Sequence, residues 1–413
     1  MKVIVVGAVL AGLTCAKVLA ERGAEVVVFE ASDGVGGRVQ TDEKDGFLLD
    51  RGFQVYFTAY PIAGRHLDHA ALNLKPFDLD AIVRRGHEES VLSDPLRDSG
   101  AFLPSLLSNA AAFSDKLLTL KLAARSIPGR TESAGELDGA DSSSLEYLRG
   151  KGFSERIIGN FYRPFYGGIF LDRSLSTSAR VLRFTFKMLA TGKTAVPARG
   201  IGEIPKQLVA RLPASAVRAN SPVRSLLREG SRVVGVDADG EEHEADAVVM
   251  ATDAPTAARL TGVPVPEGSV GQVCVYYATD GLDAGKKIVL NAEDGGSVTN
   301  AVQISAVAPS YTPRGRRLLS VVALGGFDLP EEEIYRRGIE DVSRWYPQAN
   351  FEPLAVYRVP YAHFAQPPGV HEKLPENRTG MPGLVLAGEY TEDSSINGSM
   401  LSGEKATGEV LRG

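Results

Sequence analysis

The first thirty residues constrain the fold more than any other part of the chain. Lys2 to Val6 is a short run rich in β-branched residues, the pattern of a fully buried strand in a parallel sheet. Gly7-Ala8-Val9-Leu10-Ala11-Gly12 follows, then a helical stretch from Leu13 to Arg22, a stop at Gly23, and an apolar strand from Glu25 to Phe29 that ends at Glu30. Strand, glycine turn, helix and strand make a βαβ unit on the dinucleotide-binding plan. Its helix N-terminus presents unpaired N–H groups and the positive end of a dipole to a pyrophosphate. Glu30 can accept hydrogen bonds from both ribose hydroxyls, and its charge disfavours an added 2′-phosphate. Lys2 and the apolar run from Val3 to Ala20 superficially resemble a secretion signal. Gly7, Gly12 and Lys17 interrupt that run and a second strand follows it, so a buried strand and helix is the better reading.

Composition narrows the class. The 413 residues are enough for two or three domains. A net charge of −6, with 23% charged and 44% hydrophobic residues, is ordinary for a globular protein and argues against nucleic acid as the main partner. Two cysteines, Cys15 and Cys274, cannot build a disulfide framework or a zinc site, which fits a reducing cytoplasm. No other stretch reaches the ~20 apolar residues of a transmembrane helix. Glycine stands out at 44 residues, about 11% against a usual ~7%.

The fingerprint has one defect. G-x-G-x-x-G would place its second glycine at position 9, where this chain has Val9, and that glycine normally lets the backbone approach the pyrophosphate without a Cβ in the way. A branched side chain there is expected to crowd the phosphates, and a βαβ unit that packs but binds nothing is the alternative. The next segments favour a ligand. Ala31-Ser32-Asp33-Gly34-Val35-Gly36-Gly37-Arg38 puts a glycine turn and a fixed cation directly after Glu30. Gly46 to Gln54 then gives a strand returning to the loop Asp50-Arg51-Gly52-Phe53-Gln54.

With these motifs the chain resembles the flavin-containing amine oxidoreductase superfamily, which includes monoamine oxidases, protoporphyrinogen oxidases and phytoene desaturases. In that family G-x-G-x-x-G, an acidic residue, G-G-R and D-x-G bind FAD. The resemblance therefore implies FAD contacts at Gly7, Leu10, Ala11, Gly12, Glu30, Ala31, Gly36, Gly37, Arg38, Gly52, Phe53 and Gln54. It also implies adenine contact at Val223 and passage of Ala251 and Thr252 near the cofactor. A second match lies near the C-terminus, where Gly383 to Glu389 reads as a strand ending in a carboxylate and Ser394-Ser395-Ile396-Asn397-Gly398-Ser399-Met400 opens the last helix. By the resemblance, this helix presents N–H groups to the N1/O2 edge of the isoalloxazine, which implicates Gly388, Glu389, Ser395, Ile396 and Ser399. The glycine surplus would then mark places where backbone passes close to FAD.

The implied fold class is α/β: a Rossmann-like FAD-binding domain of the GR2 type with an interleaved α+β substrate domain. FAD-binding parts are expected at 1–75, 191–262 and 376–413, and substrate-domain parts at 76–190 and 263–375. Within these, helices are expected from Asp94 to about Ile127, with Leu103, Leu106, Leu107 and Ala110 on the apolar face, and from near Ser144 through Leu189. Gly192 to Gly202 reads as a loop and Glu203 to Leu212 as a helix. Strands are expected at Val217 to Leu227, Arg232 to Asp237, Glu241 to Glu244, Ala247 to Thr252, Val270 to Ala278, Val298 to Val307 and Arg317 to Leu324, and a helix at Glu331 to Trp345. The apolar helix faces could line a lipophilic tunnel or touch a membrane surface, although packing into the protein's own core is the commoner use of such faces.

Gly200-Ile201-Gly202-Glu203-Ile204-Pro205 lacks a third glycine and follows a loop, so a separate NAD(P)H site is not expected. FAD, bound non-covalently, would be reduced by the substrate and reoxidised by oxygen, a quinone or another carrier. Ser394 and Ser395 stand where amine oxidases of the family place one of their aromatic rings, which favours dehydrogenation or desaturation of a hydrophobic or natural-product-like small molecule. An amine oxidase, a flavin-dependent isomerase without net redox change and a non-catalytic flavoprotein are the alternatives. Phe161, Tyr162, Phe165, Tyr166 and Phe170 could line the substrate pocket or simply form core. Arg163, Tyr361 and His363 are polar residues of interest without an assigned catalytic role. His66 and His69 lack further ligands for a metal site, and none is expected.

Overall fold

The computed structural model describes residues 1–86, 88–92, 113–126, 129–293 and 296–413. Its organising element is a five-stranded parallel sheet with the order Val217–Arg218, Glu25–Phe29, Lys2–Val6, Ala247–Met250, Leu384–Leu386. The strands come from three separated parts of the chain. Burial on both faces explains why the central strand is apolar from Val3 to Val6. Val3 and Val5 pack on the face covered by the first helix, Leu10–Glu21, and the last helix, Ile396–Arg412. Ile4 and Val6 pack on the other face with Val233 and Val236. Those two valines belong to a three-stranded antiparallel sheet of Val223–Glu229, Arg232–Ala238 and Glu241–Glu244.

The hairpin at Ala238-Asp239-Gly240 is the expected one, with Asp239 and Gly240 at φ 56° and 83°. The strand expected from Val217 to Leu227 is two strands. Asn220 adopts φ 54° just before Pro222, and this reversal separates a strand of the parallel sheet from one of the antiparallel sheet. The stretch from Gly192 to Gly202 contains a short strand, Thr194–Val196, pinned between Tyr56–Phe57 and Lys75–Pro76.

A seven-stranded sheet runs Asn350–Phe364, Ser269–Asp280, Arg317–Ala323, Val298–Val302, Ile288–Asn291, Ala81–Arg85, Glu88–Leu92. Helix Glu331–Trp345 covers one face, placing Ile334, Val342 and Trp345 against Val273, Val275 and Tyr277. Cys274, Tyr276 and Ala278, from the alternate positions, pack with Phe47, Leu49 and Tyr311. The strand expected to run to Val307 ends at Val302, because Ile304–Val307 turns into a helical segment whose Ser305 hydroxyl accepts the Leu318 amide at 2.9 Å. Helix Phe113–Ser126 falls within the helical stretch expected from Asp94. Leu103, Leu106, Leu107 and Ala110 lie outside the described residues. The helical region from Ser144 is broken into Ser144–Gly150, a continuous run over 155–170 with a π-helical turn at Ile158–Tyr162, and Ala179–Thr191. No helix among the described residues is long and apolar enough to cross a membrane.

One buried carboxylate ties these layers together. Asp50 accepts hydrogen bonds from the Thr41 hydroxyl at 2.6 Å, the Ile201 amide at 2.9 Å and the Tyr311 hydroxyl at 2.8 Å, while its carbonyl accepts from Tyr276. Burial raises its pKa to about 6 against these donors, which favour the charged form. Because the folded value lies above the unfolded one, the stabilising contribution of protonated Asp50 is fully present below about pH 4 and is lost as pH rises through 6. Asp50→Ala strands three buried donors and is expected to cost on the order of 3 kcal/mol in urea denaturation. A loss below ~1 kcal/mol would show that the cluster contributes little to stability.

Candidate functional site

One cavity of about 610 Å³ opens between the parallel sheet and the seven-stranded sheet. At one end it is walled by Val9, Leu10, Ala11, Gly36, Gly37 and Arg38, then by Thr252, Asp253, Gly388 and Glu389. Ser394, Ser395, Ile396 and Ser399 follow at the start of the last helix. At the far end Ile157, Phe161, Phe165, Ile169, Phe186 and Leu290 supply an apolar wall, and Asp115, Thr119 and Asn300 also line the cavity.

Two helix N-termini meet at the first end. Helix Leu10–Glu21 has Val9 at its N-cap with no side-chain cap, so its first-turn N–H groups are open to a ligand anion. The last helix is capped by the Ser395 hydroxyl, which accepts the Gly398 amide at 2.8 Å. Asp393 holds that cap: it accepts the Ser395 hydroxyl at 2.5 Å and the Ala134 amide at 3.0 Å. Gln366 accepts the Ser394 amide at 3.1 Å, and the Ser394 hydroxyl is buried on the cavity with no protein partner. Uncapped amides, an orphaned hydroxyl and a flanking arginine make this end chemically suited to a diphosphate and a polar ring edge.

Val9 has an ordinary extended backbone, φ −83° and ψ 173°, so no glycine is needed there for conformation. Its side chain stands over Gly37. A Cβ built at Gly37 would lie 2.8 Å from Val9 Cγ1, and Gly37 itself has φ +60°. The bulk that position 9 adds is thus accommodated by an atom missing at position 37.

Charge at the site centres on Arg38. Its guanidinium donates to Glu389 at 2.8 Å and to the Ala362 carbonyl, and lies 5.4 Å from the centre of the Tyr361 ring. Burial alone would lower the Arg38 pKa, but the Glu389 carboxylate holds it above its ordinary value. Burial raises Glu389 in turn, and Arg38 opposes that shift. His363 lines the same cavity. Burial pushes it down to about 4, and the nearby Arg38 charge acts in the same direction, so His363 is neutral at pH 7.

Among the residues expected from the sequence to contact a cofactor, the cavity brings together Leu10, Ala11, Gly36, Gly37, Arg38, Phe53, Gln54, Thr252, Gly388, Glu389, Ser395, Ile396 and Ser399. Gly7, Gly12, Glu30, Ala31, Gly52, Val223 and Ala251 lie outside its lining. Several glycines answer to packing instead. A Cβ at Gly7 would meet the Ala251 carbonyl oxygen at 2.3 Å, one at Gly12 the Gly7 carbonyl oxygen at 2.2 Å, and one at Gly398 the Asp393 carbonyl oxygen at 2.3 Å. The Glu30 carboxylate accepts the Ala8 amide at 2.8 Å and the Ser32 amide and hydroxyl at 2.9 and 2.7 Å, tying the glycine turn to the following loop.

Of the aromatic cluster, Phe161, Phe165 and Tyr166 reach the cavity, whereas Tyr162 and Phe170 are core. Tyr361 reaches it too. Arg163 instead donates to the Arg173 carbonyl. His66 pairs with Glu404 and His69 with Tyr56, and no group of three or more metal-ligating side chains occurs among the described residues. Sequence reasoning missed Gln272, Asn300 and Asp253, all on the cavity wall. The signal for the first two was a polar residue at a buried position of an otherwise apolar strand.

The family model for flavin containing amine oxidoreductases matches residues 10–411. The 15-cis-phytoene desaturase of Synechococcus elongatus is 22% identical over 98% of this chain and 94% of its own length. The phytoene dehydrogenase of Streptomyces griseus is 28% identical over 67% of this chain and 60% of its own length. Among solved structures, an oxidoreductase from Methanosarcina mazei superimposes with a TM-score of 0.75 at 19% identity, covering 100% of both chains. Wild-type putrescine oxidase bound to putrescine gives 0.71 at 19% identity, again over 100% of both chains. Both structural likenesses establish the fold.

Gly37→Ala combines an unfavourable positive φ with the Val9 contact and is expected to destabilise the protein by about 1–3 kcal/mol. Adding Val9→Gly should recover the steric share alone, giving a positive coupling in a double-mutant cycle read by denaturation. Strictly additive losses would show that the two side chains do not share space. The depressed His363 pKa predicts that its own contribution to stability is fully present above pH 6.5 and is lost as pH falls toward 4, a slope that His363→Gln should reduce. An unchanged slope would exclude His363 as its source.

Proposed function

The chain belongs to the flavin-containing amine oxidoreductase family and is an FAD-dependent oxidoreductase, and we propose that it removes hydride from a C–H bond of an apolar small molecule as a dehydrogenase or desaturase. The observation that carries this reading is the far end of the cavity, where Ile157, Phe161, Phe165, Ile169, Phe186 and Leu290 offer a hydrophobic wall. Two of the relatives are named for phytoene, which fits the same chemistry.

Bound FAD supplies a two-electron acceptor for the hydride. In the proposed arrangement the open amides of Leu10 and Ala11 and the Arg38 cation hold the diphosphate, with Glu389 keeping Arg38 in place. Glu30 would hold the adenosine ribose and Val223 the adenine. The first-turn amides of Ile396 and Asn397, held in register by Ser395 and Asp393, donate to the electron-rich edge of the flavin ring. Phe53 and Gln54 would form the opposite wall, with Gly52 just before them in the chain. The apolar end excludes water and orients the substrate by shape, and neutral His363 adds no charge. Attachment is non-covalent in this reading: Cys15 and Cys274 are both buried in cores. The three origins of the parallel sheet support an FAD domain assembled from 1–75, 191–262 and 376–413, with 76–190 and 263–375 forming the substrate domain. The two reduced cysteines also fit a cytoplasmic setting.

Anaerobic mixing of FAD-loaded protein with a panel of isoprenoid polyenes and of amines tests the substrate class. Bleaching of the flavin absorbance by a polyene supports the proposal, and bleaching by amines alone overturns it. Admitting oxygen or adding a quinone afterwards identifies the acceptor. Arg38→Ala removes a charge-assisted contact of about 1.5–3 kcal/mol, so FAD affinity in a fluorescence titration is expected to fall roughly 10- to 100-fold. Unchanged affinity would remove Arg38 from the diphosphate site.

A further inference from the structure

A second cavity, of about 400 Å³, lies on the far side of helix Phe113–Ser126. That helix turns Asp115 and Thr119 toward the large cavity and Leu118, Lys121, Leu122 and Arg125 toward the small one, so the two spaces are separate. Five cations line the small cavity: Lys121, Arg125, Lys151, Arg180 and Arg183. Among the described residues two carboxylates do, Asp138 and Asp141. Asp141 is already engaged, accepting the Ser178 hydroxyl at 2.8 Å and the Gly369 amide at 2.9 Å.

Lys121, Arg125, Lys151 and Arg183 have no salt-bridge partner among the described residues, whereas Arg180 is paired with Glu372 at 2.7 Å. The two arginines from helix Ala179–Thr191 are fixed by backbone. Arg183 donates to the Asp138 carbonyl at 3.0 Å and Arg180 to the Gly139 carbonyl at 3.1 Å, and the Arg180 Nε is buried without an acceptor. Tyr147 stands between the elements. The Lys151 ammonium lies 5.1 Å from the centre of its ring, and Arg183 and Arg125 draw its pKa down against the burial that raises it. Leu118, Leu122 and Phe153 complete the wall with apolar surface.

Cations gathered around one hollow repel each other, and the arrangement is most favourable when an anion sits among them. Planar guanidiniums beside an ammonium suit phosphate oxygens in particular. We propose that this cavity is a binding site for a phosphate-bearing ligand, with Arg125, Lys151 and Arg183 holding the phosphate and Leu118, Leu122 and Phe153 the adjoining carbon skeleton. The site is independent of the flavin. Its occupant would brace the helix that also walls the large cavity.

The test uses FAD-saturated protein, so that the diphosphate region of the large cavity is filled. Pyrophosphate is titrated by calorimetry, and flotation is measured with phosphatidylcholine vesicles with and without phosphatidic acid. The variant Arg125→Ala/Lys151→Ala removes two cations that make no protein hydrogen bond among those described, and Arg183→Ala is the second variant. Saturable pyrophosphate binding that weakens at least 10-fold in either variant, with the flavin spectrum unchanged, supports a free phosphorylated ligand. Flotation that requires phosphatidic acid and is lost in the variants supports the same site taking a lipid phosphate. Absence of both, or binding that both variants retain, overturns the proposal.

Discussion

The close approach of the first and last helices governs the molecule. A Cβ at Gly403 would stand 2.4 Å from the Ala11 carbonyl oxygen and 2.9 Å from the Thr14 Cβ, so the last helix seats on the first only because that atom is absent. Gly12 lets the first helix lie against the Gly7 carbonyl and Ala251, and Gly7 fits beneath the Ala251 carbonyl. These contacts bring residues 7–12, 251 and 403 to one place. Both helix N-termini consequently open into the same cavity, and residues nearly four hundred positions apart form one polar wall. The ion pair between Arg38 and Glu389, drawn from the beginning and end of the chain, lies on that wall.

Much of this was legible in the sequence, for a physical reason. The βαβ unit, the helix Glu331–Trp345 and the hairpin at Asp239-Gly240 are local patterns of period and turn chemistry. The family likeness carried the cofactor, and the cavity wall contains thirteen of the twenty residues expected to contact it. What remained hidden was set by partners distant in sequence. Position 9 reads as a defect in isolation, and only the fold places it over Gly37. Glu30 reads as an outward-facing acceptor, yet its oxygens also stitch Ala8 to Ser32. Val298 to Val307 looks like one strand until Ser305 finds Leu318. Gln272 and Asn300 face the cavity from buried strands, a polar signal that the strand pattern alone does not assign to a site.

The cavity joins two environments. At the polar end, buried charge is balanced within the protein by Arg38 and Glu389, and amides from two helices add directed donors. At the other end, Ile157, Phe161, Phe165, Ile169, Phe186, Leu189, Ile288 and Leu290 present hydrocarbon to the cavity. A flavin ring spanning the junction would have its electron-rich edge among donors and its reactive face toward hydrocarbon. This division of labour is the basis for the proposed hydride removal from an apolar substrate. The aromatic residues contribute shape, with stacked Phe161 and Phe165 rings 5.1 Å apart.

A crystal structure of the FAD complex tests this account most directly. The diphosphate is expected against the amides of Leu10 and Ala11 beside Arg38, and the flavin ring edge at Ile396 and Asn397. The space bounded by Phe161, Phe165 and Leu290 should remain free for substrate. FAD density lying in that apolar space, or a diphosphate held away from the first helix, would contradict it.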